Sequence, residues 1–260
     1  MFSLAAVMAT GALIAPHRLP LVGSGRFLVD NDGVRVKLAC VNYYGAHMEL
    51  HVVGGLQLRP LRNVSESIVK LGFNCVRLPF SVALWARDPP VRREAVAANP
   101  QLFNLTARQV FDETVAELSR AGLLILLNNH NSEPGWCCDV NSEEGLWSTS
   151  SFDFSAWVNS LSGLAARYRD QPMVIGMDLR NEIHDAKGQG RITTWGESAD
   201  PNTDWKVATE IAAEAVHASD PSLLIVGENG WDLNGGDLNG GIRAHGAPRT
   251  CALRRSHVHH

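Results

Sequence analysis

The chain has 260 residues, 45% hydrophobic and 19% charged, enough to build a sizeable core in one large domain or two small ones. Its formal net charge is −4, and the only dense basic run, Arg249 to Arg255, lies at the very end. Binding phosphates or anionic lipids needs a clustered basic surface, which argues against nucleic acid or membrane as the main partner.

Residues 1–15, MFSLAAVMATGALIA, are apolar and small and too short to span a bilayer comfortably. They end in small residues before Pro16 and read as a signal peptide, although no Lys or Arg precedes them. A secreted chain is expected on this reading, with a folded domain over 20–260. RFLVDNDGVRVKLACVN (26–42) reads as a hairpin, two strands joined by an Asp-Asn-Asp-Gly turn. NVSESIVKLGF (63–73) has apolar residues at helical spacing, with Ser65 as its cap, and CVRLPF (75–80) is a short buried strand. In 106–123, Val110, Phe111, Val115, Leu118 and Leu123 share one helical face and Gly122 supplies the stop. LLILLNN (123–129) is a strand, 154–168 a helix, 173–179 a strand, 204–219 a helix and 223–227 a strand.

Strands that are apolar throughout, alternating with helices, signal a parallel sheet covered on its outer faces. No Gly-x-Gly-x-x-Gly follows the first strand, so a dinucleotide-binding sheet has no support. Polar residues gather just past the strand ends instead: Asn42-Tyr43-Tyr44, Arg77, Asn128 to Asn131 and Arg180-Asn181-Glu182. In a (β/α)8 barrel the strand C-termini share one face, and that face carries the active site. The expected fold is therefore α/β, a (β/α)8 TIM barrel behind an N-terminal β-hairpin. Strands start near 36, 74, 123, 173 and 223, so only five are used by residue 228. The remaining residues have room for one more strand, near 251–260, because each crossover takes at least about a dozen residues. The barrel is expected to be incomplete, with about five to six strands.

A carboxylate at a barrel mouth, Glu182, beside an amide that can hold a hydroxyl, Asn181, suits proton delivery to a glycosidic oxygen. The structural alternative is an ion pair between Glu182 and Arg180 or a neighbour. Cys40 and Cys75, inside apolar runs, read as buried thiols, and the adjacent Cys137 and Cys138 match no zinc spacing. The sequons Asn63-Val-Ser65 and Asn104-Leu-Thr106 fit a secretory route. His257, His259 and His260 have no acidic partner nearby, so no metal is expected. DLNGGDLNGG (232–241) reads as a flexible loop.

The segments GVRVKLACVNYYG (33–45), GFNCVRLPFS (72–81), LLNNHNSEPGWCC (126–138) and MDLRNEIHDA (177–186) together resemble glycoside hydrolase family 5, the cellulase and mannanase group. They fall in that family's order at the ends of its first four barrel strands, and the resemblance covers roughly 20–230. It implies Glu182 as acid/base, Asn181 as the amide on the sugar 2-hydroxyl, Arg77 as support for the nucleophile, and His130 as a residue lining the site. It implies hydrolysis of a β-linked polysaccharide, β-glucan (cellulose) or mannan, by a retaining mechanism, in a monomer needing no cofactor. Such a mechanism needs two carboxylates about 5–5.5 Å apart. The family's nucleophile, at the end of its seventh strand, finds no match. Glu228 is a poor stand-in for it, and Glu133, Asp185 and Asp232 are poorer. The alternative is a catalytically dead fragment or a sugar-binding degenerate barrel. Aromatic faces cover the C–H faces of pyranose rings. Tyr44, Trp136, Trp147, Trp195 and Trp231 are the candidates in strand-to-helix loops, Trp136 first among them, and Trp85 is a further one.

Overall fold

The computed structural model describes residues 17–227 apart from 138 and 140. The expected signal peptide, Glu228, Trp231, Asp232, the 232–241 repeat, the strand near 251–260 and the terminal histidines lie outside the described residues.

Three short strands, β1 (Val22–Ser24), β2 (Phe27–Val29) and β3 (Arg35–Val36), form an antiparallel sheet in that order. The turn between the last two is held by Asp30, whose Oδ1 accepts from the backbone amides of Asp32 and Val34. The expected hairpin is thus present, but its second strand ends at Val36. The next strand, β4 (Cys40–Asn42), belongs to a different sheet.

That second sheet is parallel, and its five strands neighbour one another in chain order: β4, β5 (Cys75–Ser81), β6 (Leu124–Asn131), β7 (Val174–Asp178) and β8 (Leu224–Val226). Between them run α1 (Leu61–Lys70), α2 (Val82–Arg87), α3 (Ala107–Arg120), α4 (Phe154–Arg167) and α5 (Trp205–Ser219). This is the β/α alternation of a barrel, open at β4 and β8 among the described residues. Every residue of β7 is buried, and so are all but one of β6, as expected for strands covered on both faces.

The helices begin where local chemistry allows. Thr106 and Gln109 form a reciprocal capping box on α3. Asp153 and Asp204 accept first-turn amides of α4 and α5. Ser65 is not a cap. α1 starts at Leu61, behind Pro60, and Ser65 lies buried inside it, donating to the Arg62 carbonyl and to Glu117.

The core has two parts. Val76, Leu78 and Phe80 of β5 and Ile125 and Leu127 of β6 pack toward the helices. Cys75, Leu124, Ile175 and Leu224, near the starts of β5 to β8, pack with Leu21, Leu28 and Val36 of the small sheet. The antiparallel sheet therefore closes the N-terminal end of the strands, which leaves the C-terminal ends for chemistry.

Cys40 and Cys75 are not free thiols. They stand directly opposite one another in the β4–β5 ladder and form a disulfide. Adjacent strands bring paired Cα atoms within bridging distance, here 4.2 Å, a proximity that follows from strand register and not from residue type. Replacing both by alanine should cost about 3–4 kcal/mol, the closure entropy of a loop spanning a 35-residue separation. Urea unfolding of the double variant under oxidising conditions measures this.

Candidate active site

Polar side chains from three neighbouring strands and from the loop after β7 meet in one hydrogen-bonded group. Arg77 does not end its strand, as the sequence suggested, but is the third of seven residues in β5, and it reaches past β6 to Asp178, the last residue of β7, with Nη2 2.7 Å and Nε 2.8 Å from Oδ2. The same Nη2 donates to Asn181 Oδ1 at 3.0 Å. Asn128 of β6, between them, donates Nδ2 to Asp178 Oδ2 at 3.1 Å, and His130 Nδ1 lies 2.8 Å from Asn128 Oδ1. The His47 and His130 rings are 4.3 Å apart. One connected network thus joins three neighbouring strands.

The network fixes its own protons. The Asp178 carboxylate only accepts, so it faces the Asn128 amide nitrogen, and the amide oxygen faces His130. His130 therefore carries its proton on Nδ1, which leaves Nε2 as an acceptor. By the same logic Arg77 holds the Asn181 oxygen and leaves the Asn181 NH2 group, 3.9 Å from Cys137 Sγ, as a donor. An acceptor imidazole and a donor amide suit sugar hydroxyls.

Glu182 follows Asn181 with φ +45°, the left-handed region that a non-glycine residue occupies only when its surroundings impose it. Its carbonyl lies 2.7 Å from His184 Nδ1. The expected alternative, an ion pair with Arg180, is not what the buried guanidinium makes. Arg180 donates to Asn129 Oδ1 and to the carbonyl and Oε2 of Glu144.

The other carboxylates weighed for the mouth have structural duties. Glu133 pairs with Arg87 through two hydrogen bonds, and buried Asp185 accepts from the amide and hydroxyl of Thr193. Among the described residues, no group of three or more His, Cys, Asp or Glu could hold a metal ion.

The loop aromatics divide sharply. Trp136 is 75% exposed and Tyr44 55%, and their rings meet edge to face with centroids 6.3 Å apart. They adjoin the network, since Trp136 precedes Cys137, which touches Asn181. Trp147 is not in a cleft. It is fully buried against Trp157 and Trp205, and its indole donates to the Pro201 carbonyl. The loop after β6 folds back over the helix layer, so position in a loop did not mean exposure. Trp195 is half-buried against the same core. Trp85 packs among the helices, against Gly163 of α4 and under the Arg108 guanidinium.

Asp178 and His47 were missed by sequence reading. An acid closing the apolar run MVIGMD was the available signal for the first. Nothing local marks His47.

Polar side chains converging at the C-terminal ends of consecutive parallel strands, above an apolar plug, define a protein of the (β/α)-barrel class with its site at the strand mouths. The comparisons go further: the family model described as Cellulase (glycosyl hydrolase family 5) matches residues 36–245, and the chain belongs to that family. A glycosyl hydrolase 5 family protein of Chamaecyparis obtusa is 34% identical over 227 residues, 81% of this chain and 38% of that one. The catalytic domain of the major endoglucanase of Xanthomonas campestris superposes with a TM-score of 0.70 at 35% identity. That match covers 81% of this chain and 57% of the other. An endocellulase from Pyrococcus horikoshii, solved in complex with cellotetraose, superposes with a TM-score of 0.70 at 28% identity, over 82% and 58% of the two chains. The chain thus spans well under half of the first curated relative's length and somewhat over half of these solved chains.

Burial and neighbouring positive charge set the histidines' protonation. Desolvation, then His47, Arg77 and Arg180, push His130 from 6.5 down to about 2. Desolvation and Arg77 push His47 down to about 4, against the pull of Glu49. Both are neutral in the folded protein where the unfolded chain, below pH 6.5, takes up protons. Their contribution to stability is complete above pH 6.5 and is lost as pH falls, down to about 4 for His47 and about 2 for His130. The slope should approach about 1.4 kcal/mol per pH unit for each histidine. Urea unfolding between pH 6.5 and 4.5 checks this, and His130→Gln should lower the slope by up to about 1.4 kcal/mol per pH unit.

Proposed function

We propose that this chain carries the acid/base of a retaining glycosidase acting on a β-linked glucan of the cellulose type. Glu182 gives a proton to the glycosidic oxygen and later takes one from water. Asn181 holds a sugar hydroxyl through its amide NH2 group, and His130 Nε2 accepts from another hydroxyl. One observation carries this reading: Arg77 binds both Asp178 and Asn181, so the residue beside Glu182 is fixed by the same guanidinium that crosses the sheet. Family membership and the endoglucanase relatives support the glucan.

A retaining mechanism needs a second carboxylate about 5–5.5 Å from the first. Asp178 is held by Arg77, Glu144 by Arg180 and Glu133 by Arg87. On this reading the nucleophile comes from outside the described residues. Trp136, with Tyr44 at its edge, serves as a stacking platform at the rim. Export from the cell fits the Cys40–Cys75 disulfide, which persists in oxidising surroundings. It also fits the likeness to a major extracellular endoglucanase, 34% identical over 207 residues.

Release of reducing sugar from soluble β-glucan tests the reading. Glu182→Gln should lower kcat by about 10²–10⁴-fold. Activity retained in that variant removes Glu182 from the role, and cellotetraose binding without turnover would make the chain a sugar-binding barrel. Trp136→Ala should raise KM for cello-oligosaccharides about 3–10-fold, the loss of one stacking contact, with kcat changed far less.

A further inference from the structure

Residues on both sides of Asn181-Glu182 are gripped by one short 3₁₀ turn, Glu143–Gly145, in the loop after β6. On the near side, fully buried Arg180 donates Nη2 to the Glu144 carbonyl at 2.8 Å and to its Oε2 at 3.2 Å. The same carboxylate accepts the backbone amides of Ser132 at 2.6 Å and Glu133 at 3.0 Å, where β6 ends. On the far side, the His184 amide donates to the Gly145 carbonyl at 3.0 Å. The His184 ring lies flat against Gly145, where an added Cβ would meet Nε2 at 2.4 Å, and its Nδ1 reaches the Glu182 carbonyl. Glu182 sits between these two anchors at φ +45°. A strained residue keeps one conformation only if its neighbours over-determine it.

The geometry points to Glu144 as a positioning residue that aims Glu182 at the bond to be broken, acting through Arg180 with Gly145 and His184 as the opposing jaw. Glu144 touches no reacting atom. Its carboxylate bonds two amides and a guanidinium, so glutamine, with one acceptor oxygen, keeps the shape and loses part of the grip. The inference rests on Glu182 being the proton donor.

The test compares kcat/KM, which reports the first bond-breaking step, on two cellobiosides. One has a poor leaving group that needs a proton, and the other a dinitrophenolate that needs none. Glu182→Gln is the benchmark and should be far worse on the first. Glu144→Gln should lose about tenfold on the proton-requiring substrate and stay within about twofold on the other. Equal losses on both would mean a merely structural role and overturn the proposal. Gly145→Ala, which drives a methyl group into the His184 ring, should repeat the pattern and serves if Glu144→Gln folds poorly.

Failure of the underlying reading shows separately, as no leaving-group dependence in Glu182→Gln or no turnover by the parent chain. The clamp is then judged by amide hydrogen exchange. Faster exchange at residues 132, 133 and 184 in Glu144→Gln supports it, and unchanged exchange overturns it.

Discussion

The ion pair between Arg77 and Asp178 is the contact on which the site depends. It spans from the second parallel strand to the fourth, with Asp178 1% and Arg77 15% exposed. A buried pair of this kind gives weak net stability, because both charges must leave water, yet losing one partner strands the other. What it supplies is direction. A guanidinium has donors in a fixed fork, so binding Asp178 leaves Nη2 aimed at Asn181. Asn128 and His130 are then oriented in turn, each by the only hydrogen-bond polarity left to it. A single charge–charge contact thereby sets two amide orientations and one imidazole tautomer.

The strands divide their labour along their length. Their first inward residues are apolar and are sealed by the small antiparallel sheet. β4, β6 and β7 end on amides and a carboxylate (Asn42, Asn128 to Asn131, Asp178), and Arg77 reaches up to that end from inside β5. A parallel sheet makes this division possible, because all its strands end on the same side. The disulfide joins the first two strands at the sealed end, away from the polar one.

Much of the fold was legible in the sequence. Strands β5 to β8 and helices α3 to α5 follow from unbroken apolar runs and helical periodicity, and their ends lie within three residues of where the pattern puts them. Those signals are local, written by neighbours in the chain. Ser65 and Trp147 misled for the opposite reason. A serine near a helix start, or a tryptophan in a loop, has a local preference that packing overrides. Ser65 found Glu117, 52 residues away, and Trp147 found Trp205. The Cys40–Cys75 bridge belongs with them, since strand register alone decides which cysteines face each other.

By itself the sequence determined the alternation of strands and helices, the family, and that Asn42, Asn128 to Asn131 and Asn181-Glu182 gather at or just past the strand ends, because each is written in contiguous residues. Only the tertiary structure decided that Arg180 turns to Glu144, that Asp178 joins Arg77, and that Trp136 and Tyr44 stay in solvent while Trp147 enters the core. The physical reason is that hydrogen bonds and burial depend on distances in space. Residues 36 to 101 positions apart acquire those distances only when the sheet assembles.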